Sequence, residues 1–100
     1  MEQDPYAFQE DGAVDDEEAR RQQLAVDLVI ADFMWMMNDA RGRRIVWRQL
    51  ADAGVFRSSF SPDAMQMAFN EGRRDGGLKL LAQIDSLCPE HYSTMMKENT

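Results

Sequence analysis

Two helical patterns joined by a short turn occupy the middle of the chain, between residues 41 and 81. The first pattern runs from about residue 40 to residue 53, and Gly54 follows it, where glycine takes the left-handed conformation at little cost. Its apolar residues recur at the spacing of one helix face: Val46, Trp47, Leu50 and Ala53. The pattern predicts a helix that ends at Ala53, after which Val55 and Phe56 fold back onto the core.

A second helix is predicted beyond the turn. Ser61 is expected to be its N-cap, with Pro62 in the first helical position and Asp63 facing the positive end of the helix dipole. Gly76 and Gly77 lie inside this helix and cost about 1 kcal/mol each relative to alanine. One face nevertheless stays in phase across the two glycines: Met65, Phe69, Gly72, Gly76, Leu80, Ile84 and Leu87.

This phase predicts one uninterrupted helix to about Leu87. We expect Gly72 and Gly76 to lie where another helix crosses closely. A short fourth helix is expected to start at Pro89. The alternation of period two that indicates a strand does not occur in the sequence.

The first helix is predicted from near Asp15 to about Asn38. Asp15 and Glu18 have the spacing of a capping box, and acids in a first turn suit the helix dipole. Further along, apolar residues go nearly all the way round the helix: Leu24, Val26, Leu28, Val29, Ile30, Phe33, Met34, Trp35, Met36 and Met37. Such a helix is either central in its own fold or buried by another subunit. We expect the isolated chain to self-associate or to be unstable.

Acidic residues are concentrated at the N-terminus. Residues 1–19 contain eight acids and no base, whereas residues 20–100 contain ten acids and eleven bases, which together give the net charge of −7. The segment 1–14 has too few apolar residues to offset the entropy of ordering itself. We therefore expect it to be an arm that a neighbouring protein orders, with Tyr6 and Phe8 as its anchors.

Together these patterns predict an all-α fold. It is a small helical bundle of three to four helices in residues 15–100, with an acidic extended N-terminal arm in residues 1–14. The most apolar run, residues 24–37, is about 14 residues long and carries two acids, whereas a membrane span needs roughly 20 residues. We expect no membrane span.

Residues that carry chemistry are scarce. His91 is the only histidine and Cys88 the only cysteine, so one chain cannot build a histidine-based triad or a two-histidine metal site. Cys88 is more typical of a small buried residue than of a nucleophile, because no histidine or cationic cluster is adjacent in the sequence. We expect no enzymatic activity, no cofactor and no metal.

Four arginines cluster in the second helix: Arg41, Arg43, Arg44 and Arg48. Clustered arginines at a helix start can bind phosphate, and the turn that follows loosely resembles a helix-turn-helix. The other interpretation is a solvated face with ion pairs to acids of the first helix or of a neighbour. The net charge of residues 20–100 is only +1, which disfavours DNA contact, because binding by phosphate neutralisation normally shows a basic footprint.

Several short sequence motifs lie between about residues 35 and 97 and together form a recognisable set. They are Gly42-Arg43-Arg44, Trp47, Gly54-Val55-Phe56, Ser59-Phe60, Phe69-Asn70-Glu71-Gly72-Arg73 and Leu78 to Leu81. With these blocks the chain resembles a family of small tailed-phage (podophage) proteins of the Bordetella-phage type. The resemblance implies a non-enzymatic virion protein that is made in the host cytoplasm. Its implied place is the portal vertex or head-to-tail connector, or the head interior as an ejected protein.

The resemblance also implies that the partners are other virion proteins (portal, adaptor, internal or tail proteins), with a homo-oligomer in the particle. The side chains that we expect to meet a partner are apolar: Tyr6, Phe8, Phe33, Met34, Trp35 and Met37. The alternative function is a phage DNA-packaging or regulatory accessory protein that contacts DNA through the face formed by Arg41 to Arg48.

Deletion of residues 1–14 tests the arm. We expect the truncated chain to keep its helical circular dichroism and to enter virions at a lower copy number. Added salt should weaken assembly of the intact chain, because it screens the acidic arm. A truncated chain that enters virions at the normal copy number would show that the arm is dispensable, and one that unfolds would show that the arm belongs to the core.

Overall fold

The computed structural model describes the backbone of residues 5–100 and the side chains of residues 15–100. Within that range the chain forms four helices and no strand: α1 (Pro5–Met37), α2 (Ala40–Ala53), α3 (Ala64–Leu87) and α4 (Pro89–Asn99). The predicted all-α fold is confirmed. The predicted bounds of the second helix and the predicted start of the fourth helix at Pro89 are also confirmed.

The first helix begins ten residues earlier than the sequence pattern indicated. It starts at Pro5 and not at Asp15, so residues 5–14 are helical and not extended. Proline suits the first helical position, and the cost of Gly12, about 1 kcal/mol, does not end the helix. The side chains of Tyr6 and Phe8 lie outside the described residues, and their anchoring role stays a prediction.

The chain divides into two compact units, Met1–Asp32 and Phe33–Thr100. The second unit has a hydrophobic core to which all four helices and the turn after α2 contribute: Phe33, Met37, Val46, Leu50, Val55, Ile84, Cys88 and Met95. Helices α2, α3 and α4 each pack on the other two. The last turn of α1 belongs to this unit, because Phe33 and Met37 are buried in its core.

The described side chains of the first unit, residues 15–32, are all exposed. This includes a group of large apolar side chains that are 36–59% exposed: Leu24, Val26, Leu28, Val29 and Ile30. These residues do not form one stripe along the helix, as the sequence pattern indicated. The chain itself therefore leaves this apolar surface in water.

Helix α2 ends in a Schellman motif. Gly54 has φ 82° and ψ 25°, in the left-handed region, and its N–H donates to the Ala51 carbonyl at 3.0 Å, while the Val55 N–H donates to the Leu50 carbonyl at 3.1 Å. Val55 folds back onto the core as predicted. Phe56 does not: it stays 44% exposed.

Helix α3 begins at Ala64, and its N-cap lies two residues later than the predicted cap, Ser61. Its N-cap is Asp63, whose Oδ1 accepts from the Met65 N–H at 3.0 Å. The Ser61 hydroxyl instead accepts from the Asp63 N–H at 3.2 Å, so it shapes the turn that precedes the helix. The prediction of Ser61 as the cap was wrong, because an aspartate two residues later satisfies the same helix end. The helix then runs through both glycines to Leu87, as predicted.

The close helix crossing lies at Gly77 and not at Gly72 or Gly76. A Cβ added at Gly77 would lie 2.5 Å from Val55 Cγ2 and 2.6 Å from Ala53 Cβ, whereas nothing lies within 4 Å of one added at Gly72 or Gly76. The predicted face is correct at Leu80, Ile84 and Leu87, which are buried or packed against the core, but farther upstream the close contact falls at Gly77 and not at Gly76. A glycine carries no apolar signal of its own, so the pattern could not tell the two adjacent glycines apart.

These two glycines form a matched pair for a stability test. Gly77→Leu should lower the free energy of unfolding by roughly 1 to 3 kcal/mol, because the new side chain overpacks against α2 and the turn that follows it. Gly76→Leu should raise it by roughly 0.5 to 1 kcal/mol, because an exposed helical glycine is replaced by a better helix former. Urea unfolding measures both, and effects of the same sign would contradict the crossing at Gly77.

Candidate functional site

The Arg43 side chain joins three elements of the second unit. Its Nε and Nη2 donate to the two carboxylate oxygens of Glu98, at 2.9 and 2.8 Å, and its Nη1 donates to the Met37 carbonyl at 2.9 Å. Helix α2 holds Arg43 in place because Asp39 caps its start, with Oδ1 accepting from the Arg41 N–H at 2.8 Å. One guanidinium therefore links the end of α1 and the start of α2 to the last turn of α4.

The pairing of Arg43 with Glu98 shifts the pKa values of both side chains. The hydrogen bond to Glu98 raises the pKa of Arg43 above its ordinary value, against a smaller opposing effect of burial. The hydrogen bond from Arg43 lowers the pKa of Glu98 below its ordinary value of 4.5. Both shifts favour the charged forms, so the pair stays ionised across the neutral range.

Gly42, next to Arg43, allows α2 to approach the end of α1. A Cβ at this position would overlap the Met36 carbonyl oxygen, so no other residue fits there without a backbone shift. A second polar link lies nearby, where His91 Nε2 of α4 is 2.8 Å from Asn38 Oδ1. The Gly42-Arg43 pair is thus an architectural feature of the junction between α1, α2 and α4.

The other three arginines of α2 remain exposed. Arg41, Arg44 and Arg48 are spaced so that they share one helix face, and none of them forms an ion pair with another described side chain. The ion pair expected for this cluster belongs to Arg43, and its partner lies on α4 and not on the first helix.

A second group of polar residues surrounds a cleft between the turn after α2 and the middle of α3. The turn is fastened to α3 by Ser59, whose carbonyl accepts from Asn70 Nδ2 at 3.2 Å and whose hydroxyl donates to Glu71. The cleft has a volume of about 110 Å³, and no carboxylate lines it. We call it the arginine cleft; its polar lining residues are Arg57, Ser58, Ser59, Asn70, Arg73 and Arg74.

The three arginines of the arginine cleft have no carboxylate partner among the described side chains. The Arg73 guanidinium lies 5.6 Å from the centroid of the Phe69 ring, which fixes its position without neutralising its charge. Arg74 Nε is buried and has no hydrogen-bond partner. The arginine cleft therefore carries positive charge that no described carboxylate neutralises.

Sequence analysis singled out Arg73 but missed Arg57 and Arg74. A usable signal was present, because the tripeptide Gly-Arg-Arg occurs at residues 42–44 and again at residues 72–74. In the first copy the middle arginine, Arg43, links the end of α1 to the last turn of α4. In the second copy both arginines line the cleft.

The comparison with known families identifies the second unit. Residues 33–97 match the profile of the Bbp19-like phage protein family. The chain belongs to this family. The match confirms the resemblance seen in the sequence, and it begins at the boundary between the two compact units. No curated protein and no solved structure matches the chain.

The arginine cleft lies wholly within the segment shared with the Bbp19-like family, and so does Arg43. Glu98 lies one residue beyond the matched segment. Trp47 and Phe56, both in family blocks, stack with ring centroids 4.6 Å apart. This stack places Phe56 at the surface beside α2.

Two residues expected to meet a partner are core residues of this family member. Phe33 is 6% exposed and Met37 is fully buried, so the expectation that these two side chains face another protein is corrected. They lie on the side of the last turn of α1 that packs inside the second unit. Met34 is partly buried against the same core. Among the members of this group whose side chains the structure describes, Trp35 is 78% exposed and is the one that a partner could cover.

The structure gives Cys88 a packing role. Its side chain is fully buried, and burial raises the pKa of the thiol, with a smaller contribution from Glu90, so the thiol stays protonated at neutral pH. Among the described residues, no three His, Cys, Asp or Glu side chains are grouped so that they could hold a metal ion. None of the described helices is long and apolar enough to cross a membrane.

The Arg43–Glu98 pair can be tested through its dependence on pH. A carboxylate with a lowered folded-state pKa stabilises the fold above its unfolded pKa, and that stability is lost as the pH falls through the folded value. Glu98→Gln should therefore lower the melting temperature at pH 7. Its difference from the wild type should shrink as the pH falls below about 4.5, which thermal unfolding at several pH values measures.

Arg43→Lys should also lower the melting temperature at pH 7, because lysine keeps the charge but cannot bind Glu98 in the two-pronged manner and reach the Met37 carbonyl as well. Arg48→Lys is the matched control, since Arg48 is exposed and unpaired with any described side chain. Equal melting temperatures for the two variants would contradict the role of Arg43.

Proposed function

We propose that this Bbp19-like phage protein is a non-enzymatic structural component of the virion that acts by protein–protein assembly. Its proposed place is the portal vertex or head-to-tail connector, or the head interior as a protein ejected with the genome. Membership of a phage protein family supports a phage setting. The observation that carries the assembly role is the amount of large apolar surface that the chain exposes.

This surface has two parts, one in each unit. The first is the apolar region of α1 from Leu24 to Ile30. The second includes Phe60, Met65 and Phe69, which are 61–83% exposed. Soluble monomers rarely expose large apolar patches, and such patches mark interfaces.

The energetic gain from covering these residues is large. Burial of one leucine or phenylalanine side chain contributes roughly 1.5 to 3 kcal/mol relative to leaving it in water. A few such residues buried in an interface are enough to offset the cost of association between proteins held close together in a particle. This supports homo-oligomers and contacts with portal, adaptor, internal or tail proteins.

The alternative is a DNA-packaging or regulatory accessory protein. The observation that favours it is the exposed face formed by Arg41, Arg44 and Arg48. Arg43 is not available for this role, because Glu98 and the Met37 carbonyl take its donors. Three arginines on a body with a net charge of +1 form a smaller basic footprint than DNA binding normally shows.

Quantitative mass spectrometry of gradient-purified virions tests the proposal. We expect the protein to be present in mature particles at a fixed copy number. Particles triggered to eject their DNA in vitro separate the two proposed places, because a connector protein stays with the empty particle and an ejected protein leaves it. Absence from mature particles would overturn the structural role.

Variants of α1 test the apolar surface itself. Leu24→Gln combined with Leu28→Gln should lower the copy number in virions while the helical circular dichroism is kept, because both side chains are exposed in the free chain. Gln22→Ala is the matched control on the same exposed helix. A normal copy number in the double variant would contradict assembly through this surface. If Arg41→Gln and Arg48→Gln instead reduce packaged DNA at a normal copy number, the accessory role is favoured.

A further inference from the structure

We propose that the arginine cleft binds carboxylates from the acidic N-terminal segment, residues 1–19, of a second copy of this chain. This inference rests on the proposed assembly function and names one contact within it. Three of the polar lining residues of the cleft, Ser59, Asn70 and Arg73, belong to the family blocks, and the structure shows Ser59 and Asn70 fastening the turn to α3. The chemistry of the cleft and the charge distribution of the chain both point to this occupant.

The lining of the cleft suits a carboxylate. Arginine presents its donors in a planar fork that matches a carboxylate with two parallel hydrogen bonds, and Arg57, Arg73 and Arg74 converge on one cleft. The hydroxyl of Ser58 and the amide of Asn70 add donors at its edge. Arg57 and Arg73 are exposed, so their side chains are open to an incoming oxygen.

The size of the cleft limits what enters it. Its volume of about 110 Å³ corresponds to a few water molecules at roughly 30 Å³ each. One acidic side-chain head fits this space. An adjoining and more open hollow shares Arg57, Ser58, Ser59 and Arg74, so a peptide can continue past the first carboxylate without leaving the arginines.

The chain carries a matching excess of acid. Residues 1–19 hold eight acids and no base. Those whose side chains are described, Asp15 to Glu18, are exposed and form no ion pair with another described side chain. Each copy therefore presents unpaired carboxylates together with unpaired arginines, and a second copy can neutralise both.

Exposed aromatic residues flank the same region. Phe60 and Phe69 are 72% and 61% exposed, and they lie next in sequence to Ser59 and Asn70, which line the cleft. The acidic segment supplies Tyr6 and Phe8 among its acids. A polyanion without apolar groups, such as a DNA backbone, makes no use of the two phenylalanines, and this favours the peptide as occupant.

A contact of this kind is heterologous, since the segment of one copy meets a different surface of the next. Repeated head-to-tail contacts close into a ring when the rotation between copies permits it. A ring of copies is compatible with the proposed place at the portal vertex or connector. The acidic segment and the arginine cleft supply one polar contact for it, in addition to the apolar surface of α1.

Carbodiimide crosslinking of full-length chains tests the contact directly. In the double variant Arg57→Lys and Arg73→Lys, the introduced amines can form an amide with any carboxylate that lies against them, with loss of the carbodiimide as its urea. Mixing this variant with isotope-labelled wild type identifies crosslinks between different copies by mass. We expect hybrid crosslinks from position 57 or 73 to acids in residues 2–18. Arg41→Lys with Arg48→Lys is the matched control and should give few.

A complementation experiment provides the second readout. Two full-length variants are compared. The first carries Arg57→Glu and Arg73→Glu, and in the second the eight acids of residues 2–18 are replaced by their amides. Each alone should associate at least about tenfold more weakly than the wild type by sedimentation, which corresponds to 1.4 kcal/mol. Their mixture should restore one contact and give a 1:1 dimer, and 0.5 M salt, with a Debye length of roughly 4 Å, should weaken it.

Three results would overturn the proposal: absence of hybrid crosslinks, crosslinks only within one copy, or a mixture that does not recombine. Loss of binding to a DNA oligonucleotide in the Arg57 and Arg73 variants, without crosslinks to the acidic segment, would assign the cleft to phosphate and also overturn it. These outcomes are independent of virion composition. A protein that forms the crosslinks but is missing from mature particles would overturn the proposed function alone.

Discussion

The junction of α1, α2 and α4 in the second unit is fastened by the fork that Arg43 makes with Glu98 and the Met37 carbonyl. The carbonyl is one of those that a helix end leaves without a partner, so Arg43 satisfies the end of α1 while it binds α4. Helix α4 has only 11 residues, a length at which an isolated helix is marginal in water. Buried Met95, the pair with Arg43 and the contact of His91 with Asn38 hold it against the rest of the second unit.

Capping and turn residues predicted most helix boundaries correctly. The features that depend on contacts between helices could not be predicted from the sequence. Gly54 and Pro89 mark helix boundaries by their own backbone preferences, and both boundaries were predicted correctly. The N-cap of α3 was misplaced because Ser61 and Asp63 are both good caps, and the turn decides between them. The crossing at Gly77 depends on where the turn after α2 places Val55, and nothing in the sequence of α3 encodes that position.

The candidate site was only partly visible in the sequence for the same reason. The Gly-Arg-Arg block at residue 42 was recognised, but its partner Glu98 lies 55 residues away. The arginine cleft combines Arg57 from a turn with two arginines from α3. A body with a net charge of +1 gives no hint of such a local excess of positive charge. Distances of this kind follow from the packed fold and not from spacing along the chain.

The family match and the compact second unit both begin at Phe33, near the C-terminal end of the continuous helix α1. The segment shared with the family therefore includes only the last turn of α1. It is joined to the preceding residues by continuous helix and not by a loop. A helix can be lengthened or replaced upstream without a new turn, provided that the last turn keeps Phe33 and Met37 in register with the core. A change of sequence upstream of Phe33 therefore leaves the core contacts of the second unit in place, as long as Phe33 and Met37 keep that register.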